Sequence, residues 1–269
     1  MPFLGLDGSV FVLGAQCWVS KLARQLRLTG ERYGPFDWVG TTPGIVQHCL
    51  LNGFRDFLNP HMYVHGLDSQ GRPVVNHTLY SAVLRSLWTG EVHMFMHHDT
   101  STEPLQSILS RRVDRFNEAY IQNEPMTFIF GLAVERENSR LLDVFEEEAY
   151  NWYRWLLSHR ALVRMHIFLV EHNTGQHQLM EASIGHLNQG CKLTTWRLRA
   201  THMLRGATFN PLDLQFWRHS LPRVADTLQR SINWMPGVYH ALSHDWRQEA
   251  DGSAYWICDV CGLNISIVH

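Results

Sequence analysis

Two largely apolar segments constrain the fold of this chain more than any other feature of its sequence. Met126–Val134 and Val163–Val170 each have the length of a strand, and Leu141–Leu157 between them carries apolar residues at helical spacing. A strand with apolar residues on both faces is buried on both sides, which is typical of parallel sheets covered by helices. The segments therefore predict an α/β fold, with a layered, mostly parallel sheet flanked by helices.

Further elements are predicted on both sides of this unit. Val10–Leu13, which ends at Gly14, is typical of a buried strand, and Val92–Met96 indicates another. The polar stretch Asp68–Pro73 predicts a turn or hairpin between strands. Apolar periodicity predicts four more helices, over Trp18–Leu28, Pro43–Leu51, Leu105–Gln122 and Pro211–Ile232.

The composition is that of a folded protein of nearly balanced charge. Of 269 residues, 45% are hydrophobic and 18% are charged, which excludes intrinsic disorder. A net charge of -2 offers no basic surface for nucleic acid, and no apolar run is long enough to span a membrane. Because the N-terminus lacks the basic start of a secretory signal, we expect a cytoplasmic protein. We expect it to bind neither nucleic acid nor a membrane.

A change in composition near residue 236 divides the chain into an expected α/β domain, residues 1–235, and a tail, residues 236–269. Two imidazoles and two thiolates in the tail would complete the tetrahedral ligand set of a structural zinc ion. We therefore predict a small zinc-ribbon-like tail; a redox cysteine pair, or an incidental grouping in a chain with 17 histidines, is the alternative. The predicted zinc ligands are His240, His244, Cys258 and Cys261.

Cys17 is a candidate nucleophile because it follows the first predicted strand and begins the first predicted helix. The positive end of the helix dipole would lower the pKa of a thiol there. Backbone N–H groups at the helix start could hold an oxyanion, and Gln16 could supply a further donor. The alternative is that Cys17 packs as a small, inert side chain. The five cysteines are unevenly spaced and odd in number, so a disulfide framework is not expected.

Several motifs in the first half of the chain resemble those of one known family. The similar segments are Leu13-Gly14-Ala15-Gln16-Cys17, Leu26-Arg27, Pro35-Phe36-Asp37-Trp38, Phe54–Leu58, Phe95–Asp99, Arg111–Phe116 and Thr127–Phe130. Over about residues 10–135 the chain resembles the putative papain-like cysteine peptidase family. The resemblance implies a cysteine-dependent hydrolase or acyl transferase with Cys17 as its nucleophile. Papain-like folds usually bear the histidine on an antiparallel sheet, whereas the apolar runs favour a parallel sheet, and we expect the latter.

A thiolate nucleophile needs a base and a group that orients the base. His97 and His98 are the candidate bases, and only one of them can face Cys17, since adjacent strand residues point to opposite faces. We favour His98, because the family pattern keeps it beside Asp99. Asp99 or Asp37 would orient the imidazole, although Asp37 could instead belong to a packed turn.

Two other functions fit the same sequence. A metal-dependent hydrolase could use a cluster of potential ligands, His93, His97, His98 and Asp99. A non-catalytic α/β module could bind a small molecule or a protein partner. Arg112 and Arg115, three positions apart on one predicted helix, could bind a carboxylate or phosphate, although ion pairing is the commoner role. The sequence indicates neither the substrate, small molecule or peptide, nor the oligomeric state.

Overall fold

A computed structural model describes most of the first 201 residues and short parts of the remainder. The described residues are 9–25, 28, 33–69, 71–87, 93–95, 103–122, 125–159, 162–175, 178–188, 191–201, 203–204, 208–209, 211–217, 220–221, 247–248, 254–257 and 264–267. The described helices include α1 (Cys17–Gln25), α2 (Pro43–Leu51), α3 (Ser81–Leu87), α4 (Leu105–Ile121) and α5 (Arg140–Leu157). None of the described helices is long and apolar enough to cross a membrane.

The strands that the structure describes belong to one large sheet and three small ones. The large sheet contains β1 (Ser9–Ala15), β4 (Met126–Glu135), β5 (Val163–His172), β6 (Gln178–Asn188) and β7 (Cys191–Arg199). The small sheets contain β2 (Tyr63–Leu67) with β3 (Pro73–His77), β8 (Met203–Leu204) with β9 (Thr208–Phe209), and β10 (Arg247–Gln248) with β11 (Ala254–Ile257) and β12 (Asn264–Ile267).

The large sheet has the strand order β1-β4-β5-β7-β6. Strands β1, β4, β5 and β7 are parallel, and β6 pairs antiparallel with β7 at one edge. The predicted α/β class with a mostly parallel sheet flanked by helices is therefore confirmed. The carboxyl ends of the four parallel strands meet at one edge of the sheet, where ligands bind in open α/β folds.

Helices cover both faces of this sheet and so remove its largely apolar strands from water. On one face Phe128 and Phe130 of β4 contact Trp152 of α5 edge-to-face, with ring centroids 5.3 and 5.4 Å apart. On the other face α1 approaches β4 closely because Gly131 has no side chain. A Cβ on Gly131 would lie 2.9 Å from the indole ring of Trp18. The start of α1 is thereby held close to the carboxyl end of β4.

The hairpin expected around Asp68–Pro73 is confirmed, since β2 and β3 flank it as an antiparallel pair. The strand expected over Val92–Met96 is not found within its described residues, 93–95, where Phe95 forms only an isolated bridge with Val75. Residues 211–217 are helical, as predicted. The boundary expected at residue 236 lies outside the described residues, so the division into two domains stays a prediction.

Candidate active site

Cys17 is the first residue of α1, directly after the carboxyl end of β1. Its thiol is free and half-buried. Parallel strands β1 and β4 pair as far as Ala15 and Gly131, so the thiol lies at the carboxyl edge of the sheet. The predicted position of Cys17, between the first strand and the first helix, is therefore confirmed.

The turn that leads into Cys17 depends on a glycine. Gly14 has a φ of 81°, which disfavours other residues, and a Cβ there would lie 2.5 Å from the carbonyl oxygen of Val39. The hydroxyl of Thr41 donates a hydrogen bond to the carbonyl of Leu13 from the same loop. Residues 36–41 are thus packed against the chain just before Cys17.

Gln16 connects the start of α1 to the end of β4. Its Nε2 donates to the carbonyl of Ala133 at 3.1 Å, and its Oε1 accepts from the N–H of Ala133 at 2.9 Å. The indole N–H of Trp18 donates to the same Oε1. These bonds fix the amide, and one of its two N–H donors is already used. Its expected role as an oxyanion donor stays a prediction, which rests on the second N–H.

The pKa of the Cys17 thiol is raised, contrary to the expectation from its helix-start position. Burial is the largest cause, because it disfavours the charged thiolate. Hydrogen bonds from the backbone N–H groups of Cys17 and Trp18, together with the charge of Lys21, act in the opposite direction with smaller effect. The described residues therefore leave the thiol protonated at neutral pH, and a nucleophilic role requires a base.

Asp37 belongs to a buried turn between helices. The N–H of Gly34 donates to its Oδ2 at 2.7 Å, and Arg24 of α1 donates to its Oδ1 at 3.3 Å. Burial raises the pKa of the Asp37 carboxyl, although these two partners oppose the shift. Arg112 of α4 also contacts the turn, through the Asp37 carbonyl. These contacts fit the packed-turn alternative, and a role for Asp37 in orienting an imidazole stays a prediction.

The favoured acid–base residues His97, His98 and Asp99 lie outside the described residues. The residues just before them are described: the N–H of Gly40 donates to the carbonyl of Met94 at 2.8 Å. This bond connects residues 93–95 to the loop that packs on Gly14.

The structure does not test either predicted metal site. Of the proposed catalytic cluster only His93 is described, and its Nδ1 accepts from the Asn76 amide at 3.0 Å. Among the described residues, no group of three or more His, Cys, Asp or Glu side chains could hold a metal ion. The predicted zinc ligands His240, His244, Cys258 and Cys261 all lie outside them.

His172, which the sequence analysis did not consider, lies near the same edge. It is the last residue of β5 and pairs with Glu135 at the end of β4. Strand alternation places it on the face of Phe168, whose partner Gly131 contacts α1. Its Nδ1 is buried and has no hydrogen-bond partner in the part of the chain that the structure describes. Its position at the end of a buried strand was the signal available in the sequence.

Comparison with known proteins gives one match. No curated protein and no solved structure matches the chain. A family model described as "Putative papain-like cysteine peptidase (DUF1796)" matches residues 9–175, which is more than half of the chain. The match confirms the resemblance seen in the motifs around Cys17 and extends it through β5, to include His172. The chain therefore belongs to the putative papain-like cysteine peptidase family.

Proposed function

We propose that the protein is a cysteine-dependent hydrolase or acyl transferase with Cys17 as its nucleophile. The observation that carries the proposal is the position of the thiol at the first turn of α1, on the carboxyl edge of the parallel sheet. The match to a family described as putative papain-like cysteine peptidases supports the same reaction class.

In this reaction the sulfur of Cys17 attacks the carbonyl carbon of an amide or ester and gives its proton to an imidazole. The imidazole passes that proton to the leaving amine or alcohol as a thioester forms. Water, or a second nucleophile, then releases the acyl group and restores the thiol. Backbone N–H groups of Cys17 and Trp18, which already face the sulfur, are suited to hold the negative charge that develops.

His98, oriented by Asp99, is the base that we propose first. Supporting it, the contact of Met94 with Gly40 ties the preceding segment to the loop beside Gly14. His98 follows Phe95 by three positions, a reach of about 10 Å along an extended chain. The same argument applies to His97, so the choice between the two rests on the family pattern.

His172 is the alternative base. It lies on the sheet face that α1 covers, two residues beyond Val170, whose partner Ala133 is bonded to Gln16. The unpartnered Nδ1 is available to accept a proton. This arrangement would need no contribution from residues 97–99.

Alkylation of the folded protein at a series of pH values tests both parts of the proposal. Iodoacetamide should label Cys17 first, and Cys49 should stay unlabelled, since it is fully buried and burial raises its pKa to about 12. Replacing the true base by alanine should move the Cys17 profile to higher pH, so that His98→Ala and His172→Ala distinguish the two candidates. Cys17→Ala should fold normally and lose all hydrolysis of an activated ester. Faster labelling of Cys49 than of Cys17 would contradict the nucleophile assignment.

A further inference from the structure

Three arginines surround one tyrosine beside the buried Asp37 turn. The guanidinium carbons of Arg24 and Arg112 lie 4.0 and 5.2 Å from the centre of the Tyr33 ring. Arg115, one turn after Arg112 on α4, donates from Nη2 to the carbonyl of Tyr33 at 2.8 Å. The Tyr33 side chain is 39% exposed, so solutes can reach this group.

Within the described ranges, nearby carboxylates do not match the positive charge of these arginines. Asp37 is paired with Arg24, whereas Arg112 contacts only the backbone carbonyl of Asp37. In the described part of the chain, Arg112 and Arg115 form no ion pair. The Nε atoms of Arg24 and Arg115 are buried and have no hydrogen-bond partner there. Three guanidinium groups and one carboxylate leave two positive charges without a counterion among the residues that the structure describes.

The pKa of the Arg112 guanidinium reflects its burial among other positive charges. Burial is the main cause of its lowered pKa, and the positive charges of Arg115 and Arg111 add to it, while Asp37 and Tyr33 oppose the shift. A bound anion would stabilise the charged guanidinium. Neighbouring Arg111 has a counterion, because it forms a bidentate ion pair with Glu103.

We propose that Arg24, Arg112, Arg115 and Tyr33 form a binding site for the phosphate group of a small-molecule phosphate monoester. A monoester carries a charge of about −1.5 to −2 at neutral pH, which matches the unpaired charge better than a single carboxylate does. Planar guanidinium groups bind phosphate oxygens through paired N–H donors. Since Arg24 follows Cys17 by seven residues, about 10 Å along α1, the site is separate from the thiol and does not depend on the proposed hydrolase function.

Titration calorimetry with phenyl phosphate at constant ionic strength and pH 7.5 tests the proposal. We expect saturable binding with one site per chain, and affinity for acetate at least about 10-fold weaker. Arg112→Gln and Arg115→Gln should each weaken phenyl phosphate binding about 10-fold or more, since each removes a charged donor. Arg111→Gln is the matched control on the same helix and should leave the affinity unchanged. Asp37→Asn should strengthen binding, because it removes the anion that competes for Arg24.

Circular dichroism should be recorded for each variant to check that it folds, because Arg112 also bonds to the backbone of the Asp37 turn. Should Arg112→Gln fail to fold, Arg115→Gln and Asp37→Asn decide the question, as their effects on affinity have opposite signs. Inorganic phosphate serves as a second probe and should compete with phenyl phosphate, which would show that the phosphate group is recognised rather than the ring. No saturable binding to the folded wild-type protein, or equal losses in the Arg111 and Arg115 variants, would overturn the proposal.

Discussion

Gly14 determines how closely the loop of residues 36–41 can approach the turn before Cys17. Its φ of 81° and its contacts with Val39 and Thr41 leave no room for a Cβ. Gly53 is a useful comparison, since its φ is 61° but no atom lies within 4 Å of the position a Cβ would take. Comparing the same substitution at the two glycines therefore separates the loss of stability due to backbone conformation from that due to steric overlap.

Replacing Gly14 by alanine should destabilise the protein by about 2–4 kcal/mol, because conformational strain and steric overlap add. Gly53→Ala should cost only about 1 kcal/mol, the strain alone. Urea denaturation of both variants measures the difference. In Gly14→Ala the alkylation of Cys17 should also slow, since the turn that positions the thiol is displaced. Equal losses of stability in the two variants would show that the overlap at Gly14 is relieved at little cost.

His77 is a buried imidazole whose protonation is coupled to folding. It is fully buried, donates from Nε2 to the carbonyl of Asp56 at 3.0 Å and stacks on Tyr80 with ring centroids 4.3 Å apart. Burial lowers its pKa below the usual 6.5, and the influence of Asp56 only partly opposes this. The unfolded chain therefore binds a proton at a higher pH than the folded protein does.

The stability that neutral His77 contributes is fully present above about pH 6.5. As the pH falls below about 6.5, the free energy of unfolding decreases by at most about 1.4 kcal/mol per pH unit. His77→Gln retains an amide donor for the Asp56 carbonyl and should reduce the decline in unfolding free energy between pH 7 and 5. His61→Gln, which removes an exposed imidazole, controls for the loss of one histidine. Urea denaturation across this pH range measures the slopes. A slope in His77→Gln as steep as in the wild type would contradict the assignment.

At the scale of elements, one side chain fixes α1 against the sheet. Gln16 satisfies both the N–H and the carbonyl of Ala133 at the end of β4. Gln16→Ala should cost about 2 kcal/mol, because it leaves both backbone groups without this partner. Gln16→Glu keeps an acceptor for the Ala133 N–H but loses the donor, so it should be intermediate near neutral pH. Thermal unfolding, with Cys17 alkylation as a second readout, would show whether the amide also positions the thiol; equal stability of Gln16→Ala and wild type would contradict its anchoring role.

The elements that the sequence predicts well are those whose environment is uniform along their length. Met126–Val134 and Val163–Val170 are buried on both faces of the sheet, so most of their positions are apolar and the strands are evident. β6 and β7 were not predicted. Lys192, Thr194 and Arg197 interrupt the apolar residues of β7, and polar residues likewise interrupt β6, the strand that forms a hairpin with it. Val92–Met96 is apolar enough for a strand, yet of its described residues only Phe95 finds a strand partner.

The site could be predicted only in part, for a related reason. Cys17 is marked locally, by a strand before it and a helix after it. The pKa of its thiol is raised mainly by burial in the folded chain, which the helix start alone does not reveal, so the expected direction of the shift was wrong. The sequence shows His172 only as the residue at the end of a buried strand. The register of β5 against β4, which places it on the face covered by α1, is not contained in any local pattern.

For the whole molecule, the open question is what stabilises the C-terminal tail. β10, β11 and β12 form a small antiparallel sheet in which Ile257 pairs with Asn264. The two cysteines expected to bind zinc lie in the connection between these paired residues. The three strands have at most four residues each, and sheets this small need further support. A metal crosslink would supply it.

We therefore predict one zinc ion per chain, held by the thiolates of Cys258 and Cys261 and the imidazoles of His240 and His244. Four protein ligands would leave no open coordination position, so the ion would stabilise the tail and take no part in the chemistry of Cys17. Elemental analysis of the native protein should give stoichiometric zinc, which Cys258→Ser should lose and the control Cys191→Ser should keep. Hydrogen exchange should then show faster exchange in β11 and β12 of Cys258→Ser alone. Substoichiometric zinc in native protein, unchanged exchange in that variant, or a disulfide between Cys258 and Cys261 would each contradict the prediction, and the disulfide would favour a redox role for the pair.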